Sequence, residues 1–300
     1  MNEVFLGTGV ALITPFKEGL DPDLQALERL VNHVTEGGVE YLVVMGTTAE
    51  SATLDTDEKQ EILSFVREVN QGRLPLVAGI GGNNTRAVAG LLRQADLEGY
   101  QAVLSVSPYY NRPSQEGIYQ HFRTLAGISP LPLILYNVPG RTGSNMLPQT
   151  VLRLASASDN ILGIKEASGD MEQIKTLIRE APENFLVISG DDGTAVQTVL
   201  EGGAGVISVL AQGIPGIFSE MIRLARGGQA TEALELDKQL QPLVELIFQE
   251  GNPTGIKALL HHLGICQTGV RLPLVPASGA LMGALGSYLE NRLPAGPDFS

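Results

Sequence analysis

The sequence predicts an α/β fold, a (β/α)8 TIM barrel carrying a helical C-terminal extension. Three observations lead there. Short, continuous aliphatic runs recur eight times along the chain, spaced roughly 20–35 residues apart. Segments with a helical apolar period lie between them. No shift in composition divides the 300 residues into smaller units, so eight repeats suit a closed barrel better than an open, doubly wound sheet. The expected organisation is a barrel over residues 1–225 and an extension over 226–300.

The strand-like runs are residues 9–14, 41–45, 76–80, 102–106, 133–136, 161–164, 185–188 and 205–209. Their hydrophobicity does not alternate, the mark of parallel strands covered on both faces. Leu24, Leu27, Leu30, Val31 and Val34 form one helical stripe; Ile62, Val66 and Val69 form another; Ile174, Leu177 and Ile178 form a third. Gly37-Gly38, Gly99 and Gly127 stop helices where the pattern ends. No glycine-rich phosphate loop opens the first unit, because Gly7-Thr8-Gly9 precedes the first apolar run. Gly79-Ile80-Gly81-Gly82 lacks dinucleotide spacing and reads as a tight turn.

After the eighth unit about 80 residues remain, more than a minimal barrel needs. Leu236, Leu240, Leu243, Val244 and Ile247 mark a long helix, and Ala280, Leu281, Ala284, Leu285, Tyr288 and Leu289 a last one. This extension packs either on the barrel or on a partner subunit. Residues 294–300 read as a frayed tail.

Composition narrows the partners. A formal net charge of −13 argues against nucleic acid and anionic membranes, and an anionic substrate would need a locally placed cation. Cys266 is the only cysteine, so neither an internal disulfide nor a thiolate metal cluster can form. His33, His121, His261 and His262 are scattered as surface or helix residues without metal-ligand spacing. The N-terminus lacks the basic and apolar regions of a signal peptide. The apolar stretch 202–218 is broken by Gln212, Gly213 and Pro215, which fits a strand, a loop and a helix. A cytoplasmic protein is expected.

Lys165 ends the sixth apolar run. A lysine there is costly to bury. Desolvation lowers an amine's pKa and leaves part of it as the neutral nucleophile, able to form an imine with a ketone. The ordinary alternatives are a side chain that snorkels from the strand end or one paired with Glu166.

The C-terminal ends of barrel strands form the functional face. The polar residues there are Gly46-Thr47-Thr48-Ala49-Glu50-Ser51, Ser107-Pro108-Tyr109-Tyr110-Asn111, Tyr136-Asn137-Val138-Pro139-Gly140-Arg141-Thr142, Lys165, and Ser189-Gly190-Asp191-Asp192. Singly, each has a plain explanation. Thr47 and Thr48 could cap a helix, Tyr136 could be core, Arg141 could be a surface charge, and Asp191 or Asp192 could be N-caps. Together they set an amine, phenols, threonine hydroxyls and a guanidinium on one rim, an inventory for imine chemistry with proton shuttling and carboxylate capture. Tyr109 and Tyr110 are adjacent in an extended segment and cannot both face the mouth. One could reach a neighbouring subunit or form a lid edge.

Four motifs in order, Gly-Thr-Thr-x-Glu-Ser, Ser-Pro-Tyr-Tyr-Asn, Leu-Tyr-Asn-Val-Pro-Gly-Arg-Thr and Gly-Ile-Lys-Glu-Ala-Ser-Gly, resemble the dihydrodipicolinate synthase family of the pyruvate-dependent class I aldolases. The resemblance has motif support from Thr8 to about Val209 and runs more loosely through Asn252-Pro253 to the C-terminus. It implies a carbon–carbon bond-forming lyase of lysine and diaminopimelate biosynthesis that joins pyruvate to L-aspartate 4-semialdehyde. No metal or organic cofactor is implied. Lys165 would form the imine and Tyr136 would pass protons. Thr47 would link Tyr136 to Tyr110, the latter contributed across a dimer interface within a dimer of dimers. Thr48 would hold the pyruvate carboxylate and Arg141 the aldehyde substrate's carboxylate, while Gly190 and Ile207 would line the pocket with backbone groups.

The sequence departs from the family pattern in two respects. Ala49 stands where the family usually has glycine, which bears on the loop's geometry. Thr56, Lys59 and Ala87 stand at the positions matching a lysine-inhibition site, beside a retained Asn83 and Tyr109. A cation near a cationic ligand weakens its binding, so weak or absent lysine feedback is expected. The nearest rival reading is a sister lyase acting on N-acetylneuraminate or 2-keto-3-deoxy sugar acids. A catalytically dead barrel retained for binding is the reading from another class.

Overall fold

The structure, a computed structural model, describes residues 2–292; the tail expected at 294–300 lies outside them. Eight strands alternate with helices: β1 (Gly7–Ala11), α1 (Leu24–Glu36), β2 (Tyr41–Val44), α2 (Thr56–Asn70), β3 (Leu76–Gly79), α3 (Thr85–Gln94), β4 (Ala102–Val106), α4 (Gln115–Ala126), β5 (Leu133–Asn137), α5 (Pro139–Thr142), α6 (Pro148–Ala157), β6 (Ile161–Glu166), α7 (Met171–Glu180), β7 (Leu186–Ser189), α8 (Ala195–Leu200) and β8 (Gly205–Ser208). The strands close in sequence order, and β1 pairs in parallel with both β2 and β8. Four further helices follow: α9 (Pro215–Arg226), α10 (Ala230–Gln249), α11 (Thr254–His262) and α12 (Gly279–Arg292).

Alternation along the strands sorts their side chains into two buried clusters. The smaller fills the barrel and includes Phe5, Tyr41, Val43, Val77, Ile134 and Ile188. The larger lies between strands and helices, with Leu42, Val44, Leu133 and Leu135 against the helical stripes of Leu27, Leu30, Ile62 and Val66. Tyr41 is wholly buried and takes the space beside Gly9, where a Cβ would meet its ring at 2.2 Å. Side-chain oxygens cap the helix starts: Asp23 on α1, Asn84 on α3, Ser114 on α4, and an Asp55–Glu58 capping box on α2.

Several strand limits differ from the apolar runs. The first strand spans 7–11 instead of 9–14, so Gly7-Thr8-Gly9 belong to it. Gly7 N donates to Ala204 O, while Ile13 N is taken by the Gln212 side chain at 2.8 Å, which ends the ladder early. β5 and β6 run one and two residues past their apolar runs, because Asn137 and Glu166 bond each other.

The extension lies on its own barrel. α10 packs along α8 and α9, α11 packs on α10 and against the 210–212 turn, and α12 lies on α10 and α11. Among the described residues no helix is long and apolar enough to cross a membrane, and no group of three or more His, Cys, Asp or Glu is placed to hold a metal ion.

Candidate active site

The position of Lys165 follows from an irregularity in its own strand. Ile161 and Ile164 both face the helices, while Leu162 faces the barrel interior. Strict alternation from Leu162 would send Ile164 inward and Lys165 outward. The register instead shifts by one residue: Leu133 pairs with Ile161, but Ile134 pairs with Gly163. The shift sits at a glycine, where a Cβ would lie 2.4 Å from Leu186 O. Beyond it, Lys165 stands opposite Tyr136 on one side and Ile188 on the other, inside the barrel.

There Lys165 is 4% exposed and Tyr136 is 6% exposed. Lys165 Nζ lies 4.6 Å from the centroid of the Tyr136 ring. The lysine stem passes over Gly190, where a Cβ would come within 3.0 Å of Cγ and 3.1 Å of Cε. Such a Cβ would also meet Ala167 Cβ at 2.6 Å, so both the lysine stem and Ala167 hold this position to glycine. Glu166 is not the lysine's partner. It points the other way and binds Asn137, Gln173 and the Ser168 main chain, and burial, opposed by these bonds, pushes its pKa up.

The loop after β2 turns sharply, with Met45 at φ +64° and Glu50 at φ +53° on either side of a single 3-10 turn, Thr47–Ala49. Ala49 itself has an ordinary conformation with a buried methyl, so alanine strains nothing here. Thr14 Oγ1 donates to Ala49 O at 2.7 Å and pins the turn. The Thr48 hydroxyl is buried and accepts from Asn252 Nδ2 at 2.9 Å. Thr47 is exposed towards the mouth. Glu50 is buried and accepts from Lys257 Nζ at 2.5 Å and from Arg271 N at 2.8 Å.

Arg141 sits exposed on α5, where Nη2 reaches Asn252 O at 3.4 Å. After β4, Tyr109 is 41% exposed and Tyr110 89% exposed, the latter at φ +71°. Asn83 Nδ2 donates to Tyr109 O at 3.2 Å. On the far side of the barrel, the wholly buried Asp192 accepts from Val209 N and Leu210 N, and burial lifts its pKa to about 6. It thereby ties the end of β7 to the residues after Ile207, which is buried at the barrel interior. Asp191 is an N-cap, donated to by Gly193 N.

A cavity of about 720 Å³ opens at this end, walled by Thr47, Tyr109, Tyr136, Arg141 and Asn252 and continuing to Thr56 and Lys59 of α2. Thr48, Lys165, Gly190 and Ile207 lie off its wall, Lys165 directly against Tyr136. Tyr110 stands apart with its ring in solvent. Sequence reasoning gave Asn252 no role beyond the looser part of the resemblance, although it touches Thr48 and Arg141, and it missed Lys257, which secures Glu50. Both act from about 200 residues away in the chain, beyond the reach of any local pattern.

The Dihydrodipicolinate synthetase family matches residues 4–291. A 4-hydroxy-tetrahydrodipicolinate synthase from Flavobacterium psychrophilum is 55% identical over 96% of this chain and 98% of its own. The crystal structure of the chloride-inhibited dihydrodipicolinate synthase from Acinetobacter baumannii, complexed with pyruvate, superposes with a TM-score of 0.92 at 40% identity, covering 95% of this chain and 98% of that one. A structure described as the first monomeric dihydrodipicolinate synthase variant gives 0.93 at 39% identity, covering 96% and 97%.

Proposed function

Because the chain belongs to the dihydrodipicolinate synthetase family, we propose that its barrel mouth is the site where pyruvate, held as an imine of Lys165, meets L-aspartate 4-semialdehyde. The enzyme is a Schiff-base-forming lyase, a 4-hydroxy-tetrahydrodipicolinate synthase of lysine and diaminopimelate biosynthesis. The observation that carries the residue assignment is the register pair Tyr136–Lys165, both nearly fully buried on the inner face of adjacent strands.

The steps follow from that pair. The Lys165 amine attacks C2 of pyruvate and, after loss of water, forms the imine. Thr48 donates its hydroxyl proton to the substrate carboxylate, since its oxygen already accepts from Asn252. Loss of a methyl proton gives the enamine, whose C3 attacks the aldehyde carbon. The amino group of the semialdehyde then attacks the imine carbon, closing the ring and releasing the lysine. Tyr136 carries protons at these steps in a site shielded from water, relayed by Thr47 to a Tyr110 supplied by a neighbouring subunit. Arg141 receives the semialdehyde's carboxylate, and Gly190 and Ile207 line the pyruvate pocket. The imine is itself the electron sink, so the chemistry asks for no metal or organic cofactor. A cytoplasmic homo-oligomer, a dimer of dimers in which residues 226–300 extend each barrel, fits this reading.

Borohydride reduction with pyruvate, read by intact mass, tests it. The native protein should gain one reduced pyruvate adduct and Lys165→Ala none. No adduct on the native protein removes the imine enzyme and leaves a binding barrel. The sister-lyase reading is separated by turnover. Arg141 behind its Val-Pro-Gly turn, together with Tyr-Tyr-Asn, supports aspartate semialdehyde over N-acetylneuraminate.

A further inference from the structure

The β5–β6 ladder carries two cross-strand pairs at its C-terminal end. On the inner face Tyr136 stands opposite Lys165. One residue on, Asn137 stands opposite Glu166, with both side chains turned to the outside of the barrel and both completely buried.

That outer pair is held unusually completely. Asn137 Nδ2 donates to both Glu166 oxygens at 2.9 and 3.0 Å, Gln173 Nε2 of α7 donates at 3.0 Å, and Ser168 N at 2.8 Å. Asn137 Oδ1 accepts from Met146 N at 3.0 Å, and Asn145 bonds both Asn137 and Gln173. A carboxylate is an expensive group to bury, and replacing such polar clusters with packed apolar residues often costs no stability. What an apolar pair could not supply is direction. Hydrogen bonds fix angles, and these act where the ladder ends and a strand is least constrained by its neighbours.

Building on the assignment of Lys165 and Tyr136 above, we infer that Glu166 is a positioning residue. With Asn137 it locks the last rung of the ladder from behind and so sets the separation and angle between the Lys165 amine and the Tyr136 phenol. Proton transfer at the imine is sensitive to that geometry, whereas capture of the pyruvate carboxylate at Thr48 is not.

Glu166→Gln tests this, because an amide puts an NH2 group where one carboxylate oxygen stood and so sets it against Asn137 and either Gln173 or Ser168, which are donors here. The rate of borohydride-trappable imine formation at saturating pyruvate, and kcat, should fall about 10- to 100-fold. Half-saturating pyruvate should stay within about twofold, because Thr48 is untouched. Gln173→Met, which removes one donor from α7 and alters neither strand, should reduce the same rate about 3- to 10-fold. If Glu166→Gln does not fold, Gln173→Met decides alone: a selective loss of rate supports the inference and an unchanged rate overturns it. The inference is also overturned if folded Glu166→Gln keeps its kcat, or if rate and pyruvate affinity decline together with the melting temperature. Failure of the native protein to trap pyruvate would instead remove the assignment of Lys165.

Discussion

A lysine enters a barrel only where its strand turns it inward. In this chain a one-residue register shift at Gly163 does so, placing Lys165 beside Tyr136 and Glu166 behind the sheet. That the lysine, the tyrosine and the arginine fall at or just after strand ends was legible, because strand ends can be read from apolar runs. The shift was not, since periodicity shows which residues are buried and not which of two buried faces they take. Glu166 shows the same limit: local sequence offered it as the lysine's ion pair, yet it serves a separate polar network. Lys59 illustrates a residue whose effect is plain electrostatics. It lines the cavity together with Thr56, where the family resemblance implies a lysine-inhibition site, and an ammonium there repels a cationic effector. Activity should therefore persist in millimolar L-lysine. Half-inhibition in the micromolar range would sink this expectation.

At the scale of elements, the helix stripes and the middle of each strand were readable, and the ends were not. Hydrophobic period marks an interior, but an end depends on which polar group takes the next backbone N–H, as Gln212 does at Ile13. The α3–α4 pair yields a test of its own. His121 on α4, buried against Phe122, bonds Thr85 at the start of α3 through Nδ1. Burial lowers its pKa to about 4 from the usual 6.5. The unfolded chain therefore binds a proton there more readily than the folded one between these values. The stability this histidine contributes is full above about pH 6.5 and declines as pH falls towards 4, by about 3 kcal/mol at most. Asp192, raised to about 6, works in the opposite sense over an overlapping range, so the comparison needs a variant. Melting curves at pH 7 and pH 5 should show native protein losing more stability than His121→Asn on acidification. Equal losses would mean that His121 titrates freely in the folded state.

The whole molecule joins distant parts of the chain at one rim. The fully buried Lys257 and the largely buried Asn252 of the C-terminal region grip the loop of Thr48 and Glu50, so the helical extension on the barrel also shapes its mouth. One side chain of the proposed relay is left outside. Tyr110, 89% exposed in a left-handed conformation, is turned away from the cavity that Tyr136 lines, and Leu272 and Val275 are also exposed. If Tyr110 serves a neighbour's site, catalysis belongs to the assembly and can be divided between chains. Tyr110→Phe should still form the pyruvate adduct on Lys165 but turn over about 10- to 100-fold more slowly, the usual worth of one proton-transfer group. Lys165→Ala should be inactive. Mixed under conditions that exchange subunits, the two should recover activity, because a hybrid site then takes its lysine from one variant and its tyrosine from the other. A tyrosine acting within its own chain would leave the mixture no more active than Tyr110→Phe alone. That outcome would confine the relay to a single barrel and remove the need for a partner in the chemistry.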